Sequence, residues 1–249
     1  MNRLYKYELH CHTSEGIRCA SSTGAEMADF YKKAGYTGLI ITDHFLNGNT
    51  TVPKDLEWEE RIDLYCKGYE NAKKRGDEIG LNVFFGWEYN GDFVTLGLDK
   101  EWLKAHKDLD KLTRLEYLEL IRNNGGYLIH AHPFRMGPYA RSVNVTPMRV
   151  DALEVINAGN EDFQNLMADY TATQFGVTKV CGSDNHNAKT SKKLASLELG
   201  FKAESLEDLL SAIKENRHTV KEYSVTDIDG QIMLKDYTPE YDVMGVTES

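Results

Sequence analysis

At 249 residues with a formal net charge of −10, the chain has the length of one barrel-sized α/β domain and a field that repels polyanions, which disfavours a general nucleic-acid binder. Cys11, Cys19, Cys66 and Cys181 form no C-x-x-C pair and no disulfide framework, which suits a reducing, cytoplasmic setting. No run approaches the roughly 20 apolar residues of a membrane span, and no basic-then-apolar leader opens the sequence, so no membrane partner is expected.

Short apolar runs alternate with longer amphipathic segments. Tyr5 to His10 reads as a strand. Thr23-x-x-Glu26 is a capping box opening a helix to about Ala34, with Gly35 placed to end it. Gly38 to Thr42 is a wholly apolar strand, followed by a polar loop and a helix from roughly Leu56 to Arg75. Asn82 to Tyr89 and Asp92 to Leu98 read as strands. A helix near Lys111 to Asn124 ends at Gly125-Gly126, and Tyr127 to His130 follows as a strand. Asp151 to Ile156, Thr178 to Gly182 and Ser196 to Phe201 complete the strands, with helices near Glu161 to Phe175 and Ser205 to Asn216. Strand–helix alternation predicts a largely parallel sheet covered on both faces, and about seven or eight strands favour a closed or distorted barrel in a single domain. From about Val225 the chain changes character: D-I-D-G-Q-I has the form of a hairpin turn and the last residues that of a tail, so 1–225 are read as the barrel and 226–249 as an extension.

Six of the eight histidines fall where apolar runs end: E-L-H-C-H-T (His10, His12), I-I-T-D-H (His44), L-I-H-A-H-P-F-R (His130, His132) and C-G-S-D-N-H (His186, with Asp184). F-F-G-W-E-Y ends its run in Glu88. Residues two apart on a strand share a face, so each H-x-H pair and Asp184 with His186 project together. Imidazoles and carboxylates at successive strand exits are the donors of a multinuclear metal site, and Zn, Mn or Fe suits them. Cys11 would point away between its two histidines, and His106 and His218 lie in polar surroundings. Asp43 is placed to support or cap, and Glu154 either supports a ligand or is a plain strand-end charge.

The ordered set H-x-H-T, T-D-H, a strand-end Glu, H-P and S-D-x-H resembles the polymerase-and-histidinol-phosphatase (PHP) family over about Leu4 to Arg217. The resemblance implies a distorted (βα)7 TIM-like barrel holding two to three divalent metal ions at its C-terminal face and hydrolysing phosphoesters. It implies one cation on His10, His12, Glu88 and Asp184, a second on Glu88 and His132, and a third on His44 and His186. Where many members have a histidine shortly after the strand-end Glu, this chain has Thr95. The early loop S-E-G-I-R-C also departs from the family pattern. Glu15 is the candidate for its acidic ligand, with Arg18 or Cys19 as the other occupants of that place.

These residues predict a phosphoesterase acting on a small phosphorylated metabolite or nucleotide, by attack of metal-activated water. Asp184 or a ligand histidine would move a proton to the leaving oxygen. Arg135, just beyond H-P, and Arg18 are the guanidiniums placed to grip a phosphate. The alternatives are an exonuclease-like phosphodiesterase taking a short 3′ end, an amidohydrolase-type C–N hydrolase, which commonly carries a bridging lysine, and a non-catalytic metal-binding barrel.

Overall fold

Three apolar runs from the first part of the chain lie side by side. In the computed structural model, which describes residues 3–137, 143–228 and 230–239, Tyr5–Cys11 (β1), Gly38–Ile41 (β2) and Asn82–Tyr89 (β3) pair in parallel. Helix Gly24–Lys33 (α1) carries the chain from β1 to β2. Its capping box forms from both sides: Thr23 N donates to Glu26 Oε2 (2.8 Å) and Glu26 N to Thr23 Oγ1 (3.2 Å). Two helices, Trp58–Tyr65 (α2) and Lys67–Ile79 (α3), link β2 to β3 where the sequence suggests one. The break at Cys66 lets α3 lay Gly68 against Gly24 of α1, so closely that a methyl group on Gly24 would stand 2.1 Å from the Gly68 carbonyl oxygen.

The expectation of a largely parallel sheet is corrected in two places. Phe93–Leu96 (β4) runs antiparallel to β3 and to its other neighbour, Tyr127–His130 (β5). The link explains it. Asn90, Gly91 and Asp92 turn the chain straight back, with Asn90 and Gly91 at φ 55° and 68°, whereas a parallel crossover needs about a dozen residues. The second place is the C-terminal part: Lys193–Leu199 (β8), Thr219–Ile228 (β9) and Gln231–Asp236 (β10) add as an antiparallel meander on the outer edge of β1. Between these regions, Ala152–Asn157 (β6) and Thr178–Gly182 (β7) continue from β5 in parallel.

Four further helices fill the connections. Lys100–Ala105 (α4) and Arg114–Asn123 (α5) lie between β4 and β5, Asp162–Phe175 (α6) between β6 and β7, and Leu206–Lys214 (α7) between β8 and β9. Among these α4, capped by Asp99 through Trp102 N (2.8 Å), has no counterpart in the expected elements. β9 runs through residue 225, so the sheet is continuous across the boundary drawn there, and the tail beyond 239 lies outside the described residues. No helix among the described residues is long and apolar enough to cross a membrane.

All ten strands belong to one mixed sheet of order β10-β9-β8-β1-β2-β3-β4-β5-β6-β7. Its β7 end comes round to β1: Asp184 N donates to His10 O (2.8 Å) and His12 N to Asn185 O (3.0 Å). Glu8 stitches this seam. Its buried carboxylate accepts from His10 N (2.9 Å), Ser183 N (2.8 Å), Tyr31 Oη (2.9 Å) and the Ser183 hydroxyl. Burial pushes its pKa up to about 7 against the pull of those donors. The seam matters because the residues just past β1 and β7 are those read as ligands.

Candidate metal centre

Within the run from β1 to β7, every strand except β4 points the same way, so their C-terminal ends share one edge. His10 and His12 come from the end of β1, His44 from just past β2, Glu88 from β3, His132 from just past β5, and Asp184 and His186 from just past β7. The structure gathers all seven into one cluster. Glu88 is wholly buried at its middle, with Oε2 at 2.5 Å from His44 Nδ1 and Oε1 at 3.0 Å from His132 Nε2. His10 Nε2 and His12 Nε2 each stand 3.7 Å from its nearer oxygen. Asp184 Oδ1 lies 2.9 Å from His12 Nε2, 3.5 Å from His10 Nε2 and 3.6 Å from His186 Nδ1.

Of these short separations only that between His132 Nε2 and Glu88 Oε1 is a hydrogen bond. His10 Nε2, both ring nitrogens of His12, His44 Nδ1, Glu88 Oε2 and Asp184 Oδ1 are buried without a hydrogen-bond partner among the described residues. Each such atom left uncompensated costs about 1–3 kcal/mol, so lone pairs aimed at common points suit cations between them. Three donor sets meet that test, each with its ligand atoms within 4.8 Å of one another: His10–His12–Glu88, His10–His132–Asp184 and His12–His44–His186. The residues therefore fit divalent metals.

Electrostatics agree with this. Burial works against the charge of Glu88, but His44, His10 and His132 outweigh it and hold the carboxyl well below the usual range. Asp184 is held low in the same way, by His10 and Arg135 against burial. His12 is pushed well down by burial and by its neighbours His186 and His44, which leaves it a neutral imidazole able to donate a lone pair. His132 and Asp184 also occupy left-handed backbone, at φ 30° and 52°, a conformation worth about 1–3 kcal/mol of strain that persists at functional sites where the surroundings enforce it.

A supporting layer fixes the candidate ligands. Glu154 Oε1 accepts from His10 Nδ1 (3.0 Å), which turns Nε2 toward the cluster, while Oε2 accepts from His132 N and Asn157 Nδ2 (both 2.8 Å). His186 Nδ1 donates to Asp184 O (2.8 Å), freeing its Nε2. Asp43 accepts from Thr13 N and Thr13 Oγ1 (both 2.5 Å), pinning the chain just beyond His12. We expect Glu154→Gln to fold but to bind metal about 10–100-fold more weakly, because one amide cannot accept from all three donors. Calorimetric zinc titration reading an unchanged affinity would contradict that.

Arg135 sits at the edge of the cluster. It donates to Asp184 Oδ2 through Nη1, to Asn160 Oδ1 through Nε (2.9 Å) and to Asn157 Oδ1 through Nη2 (2.9 Å). Glu15 and Arg18 lie apart. Glu15 accepts from Gly24 N (3.0 Å) and Asn71 Nδ2 (3.0 Å) at the start of α1, and Arg18 is exposed. Thr95 points into the core, where its hydroxyl meets Tyr117 Oη at 2.5 Å. His130 is buried under Arg114, beside the Phe93 ring, and belongs to none of the three donor sets.

The cluster opens into a cavity of about 900 Å³ whose wall includes Cys19, Asp92, Arg114, His130, Arg135 and Asn144. Sequence reasoning singled out neither Asp92 nor Arg114. The Arg114 guanidinium lies over the Phe93 ring, 4.6 Å from its centre, and donates to Asn144 O (2.7 Å) and Thr146 Oγ1 (3.1 Å). Its one sequence signal is the position after Thr113 in the capping box Thr113-x-x-Glu116, which puts it in the first turn of α5.

Several solved structures share this fold. A two-domain protein from Bacteroides vulgatus that contains a predicted PHP-like metal-dependent phosphoesterase is 14% identical, with a TM-score of 0.66 over 88% of this chain. The chain spans 64% of that protein's length. A protein from Bifidobacterium adolescentis assigned as a metal-dependent phosphoesterase is 15% identical, with a TM-score of 0.52 over 82% of this chain and 94% of its own. PsfC from Pseudomonas syringae is 18% identical, with a TM-score of 0.54 over 89% of this chain and 91% of its own. The structural neighbours thus include PHP-like metal-dependent phosphoesterases, and at these identities the likeness is one of fold. No family model and no curated protein sequence matches the chain.

Proposed function

We propose that the chain is a metal-dependent phosphoesterase on a distorted (βα)7 barrel, closed at the seam between β7 and β1, that hydrolyses a small phosphorylated metabolite or nucleotide. The observation that carries this reading is the convergence of three donor sets, with orphaned lone pairs, at the floor of a cavity walled by two guanidiniums. His10, His12, Glu88 and Asp184 would hold one divalent cation, Glu88 and His132 a second, and His44 and His186 a third. Bound there, such cations supply Lewis acidity and lower the pKa of a coordinated water.

The chain's own groups do the rest. Arg135, held in a fixed plane by Asn157, Asn160 and Asp184, presents a guanidinium beside the ligands where phosphoryl oxygens would lie. Arg114 faces the same cavity from farther out and suits the leaving part of the substrate or a second phosphate. Asp184, whose carboxyl His10 and Arg135 hold charged, would hold the cation and orient Arg135, and Asp184 or a ligand histidine would pass a proton to the leaving oxygen. Arg18 would contribute only to the outer approach. No lysine lines the cavity among the described residues, which favours this reading over an amidohydrolase with a bridging lysine. A net charge of −10 favours a small substrate over a long nucleic acid.

The test pairs elemental metal analysis with turnover of p-nitrophenyl phosphate and bis-p-nitrophenyl phosphate by wild type and His10→Ala. Two or more equivalents of metal, with turnover lost in the variant, is the expected outcome. Protein that stays metal-free and inactive after addition of Mn, Fe or Zn would overturn the reading.

A further inference from the structure

Three asparagines are buried together where β6 gives way to α6. Asn157 ends β6, Asn160 lies in the loop that follows and Asn165 in α6, with exposures of 0, 6 and 7%. Buried amides persist where their polar atoms have partners, and here the partners lead to one group. Asn157 Oδ1 and Asn160 Oδ1 are the amide acceptors that hold Arg135, both at 2.9 Å. Asn165 holds both of those residues in turn. Its Oδ1 accepts from Asn157 N (3.1 Å) and Asn160 Nδ2 (3.2 Å), and its Nδ2 donates to Asn157 O (3.1 Å). Asn157 is tied from its other end too, by Nδ2 to Glu154 Oε2 (2.8 Å), while its Oδ1 also accepts from Gly159 N (2.9 Å). Gly159 completes the cradle. A methyl group there would stand 2.7 Å from Arg135 Nη2 and 3.2 Å from Asn157 Oδ1. Its φ is not positive, so the missing side chain serves the close approach of Arg135 and not a turn.

We propose that Gly159 and Asn165 are positioning residues for Arg135. The glycine leaves the space in which the guanidinium lies, and the asparagine of α6 fixes both amides that set its plane. This rests on reading Arg135 as the group that grips the phosphoryl oxygens. Arginine is a flexible side chain whose planar fork binds an oxyanion well only when it is aimed. A misplacement on the order of 1 Å can cost about a hundredfold in rate. Crowding at Gly159 is relieved by the tip of a side chain and not by backbone, so alanine there displaces the guanidinium and leaves the fold intact. Asn165 itself does not line the cavity, so its effect on the substrate passes through Asn157 and Asn160.

Full-length protein supplied with manganese and titrated calorimetrically with inorganic phosphate tests this without turnover. Arg135→Ala is expected to weaken phosphate binding about 10–100-fold. Gly159→Ala should weaken it about tenfold, with metal content and circular dichroism as in wild type. Asn165→Ala should act in the same direction, and Gly159→Ala carries the test alone if that variant does not fold. Added to Arg135→Ala, Gly159→Ala should change the affinity by less than about twofold, because a residue acting only through Arg135 then has nothing to place. An undiminished affinity in Gly159→Ala, or a tenfold loss that persists in the Arg135→Ala background, would overturn the positioning role and leave the phosphoesterase reading standing. Phosphate bound as tightly by Arg135→Ala as by wild type would overturn Arg135 as the grip, and the proposal with it. A wild-type chain that binds no phosphate with manganese present would overturn both the proposal and the phosphoesterase reading.

Discussion

Glu88→Gln is expected to give a folded protein that turns over phosphoester on the order of 10³-fold more slowly, a loss of about 4 kcal/mol in transition-state stabilisation. The substitution keeps the shape of the side chain and removes its charge. Glu88 is completely buried and has four imidazoles around its two oxygens, at 2.5, 3.0, 3.7 and 3.7 Å. Asp184 also reaches four imidazoles, at 2.9, 3.5, 3.6 and 3.9 Å, but one of its oxygens is taken by Arg135. An amide offers one weak oxygen donor and turns an N–H₂ toward imidazole lone pairs, so it cannot bridge two cations. Metal content should fall together with rate, while the far-ultraviolet circular dichroism stays that of wild type. Activity retained within tenfold, at wild-type metal content, would show that Glu88 is not the bridge.

Gly182→Ala should cost about 3 kcal/mol of stability, near the upper end of overpacking, and lower the melting temperature by roughly 6–12 °C. Gly182 closes β7 where the sheet meets β1. A methyl group there would lie 2.3 Å from His10 Cβ and 2.4 Å from Glu154 Oε1, and neither can retreat. His10 belongs to the central strand, and Glu154 holds His10 and His132 in place. Gly176→Ala is the control. Gly176 ends α6 in left-handed backbone at φ 64° with nothing within 4 Å of the added carbon, so only the backbone cost of about 1 kcal/mol applies. Equal thermal shifts in the two variants would show that the seam is not tightly packed.

Much of the candidate site was legible in the sequence because its candidate ligands sit where apolar runs stop, and a run of apolar residues marks a strand whatever surrounds it. Asn82–Tyr89, Tyr127–His130 and Thr178–Gly182 have the limits read from the residues alone. Strand direction is another matter. The four residues of β4 look the same read either way, and only the short turn at Asn90 and Gly91 records the reversal. Arg114 was harder still, because it gains its place from Phe93 on a neighbouring strand. Glu154 could be read two ways until its oxygens were seen to serve His10, His132 and Asn157.

The seam between β7 and β1 also sets an order of events during synthesis. His10 and His12 leave the ribosome early, yet Asp184 and His186, which complete every donor set but His10–His12–Glu88, follow the seventh strand. A nascent chain therefore presents His10, His12 and Glu88 early, while two of its three donor sets stay open until the seventh strand has been made. On the proposed reading, full occupancy of the centre is a late step that reports completion of the sheet through β7.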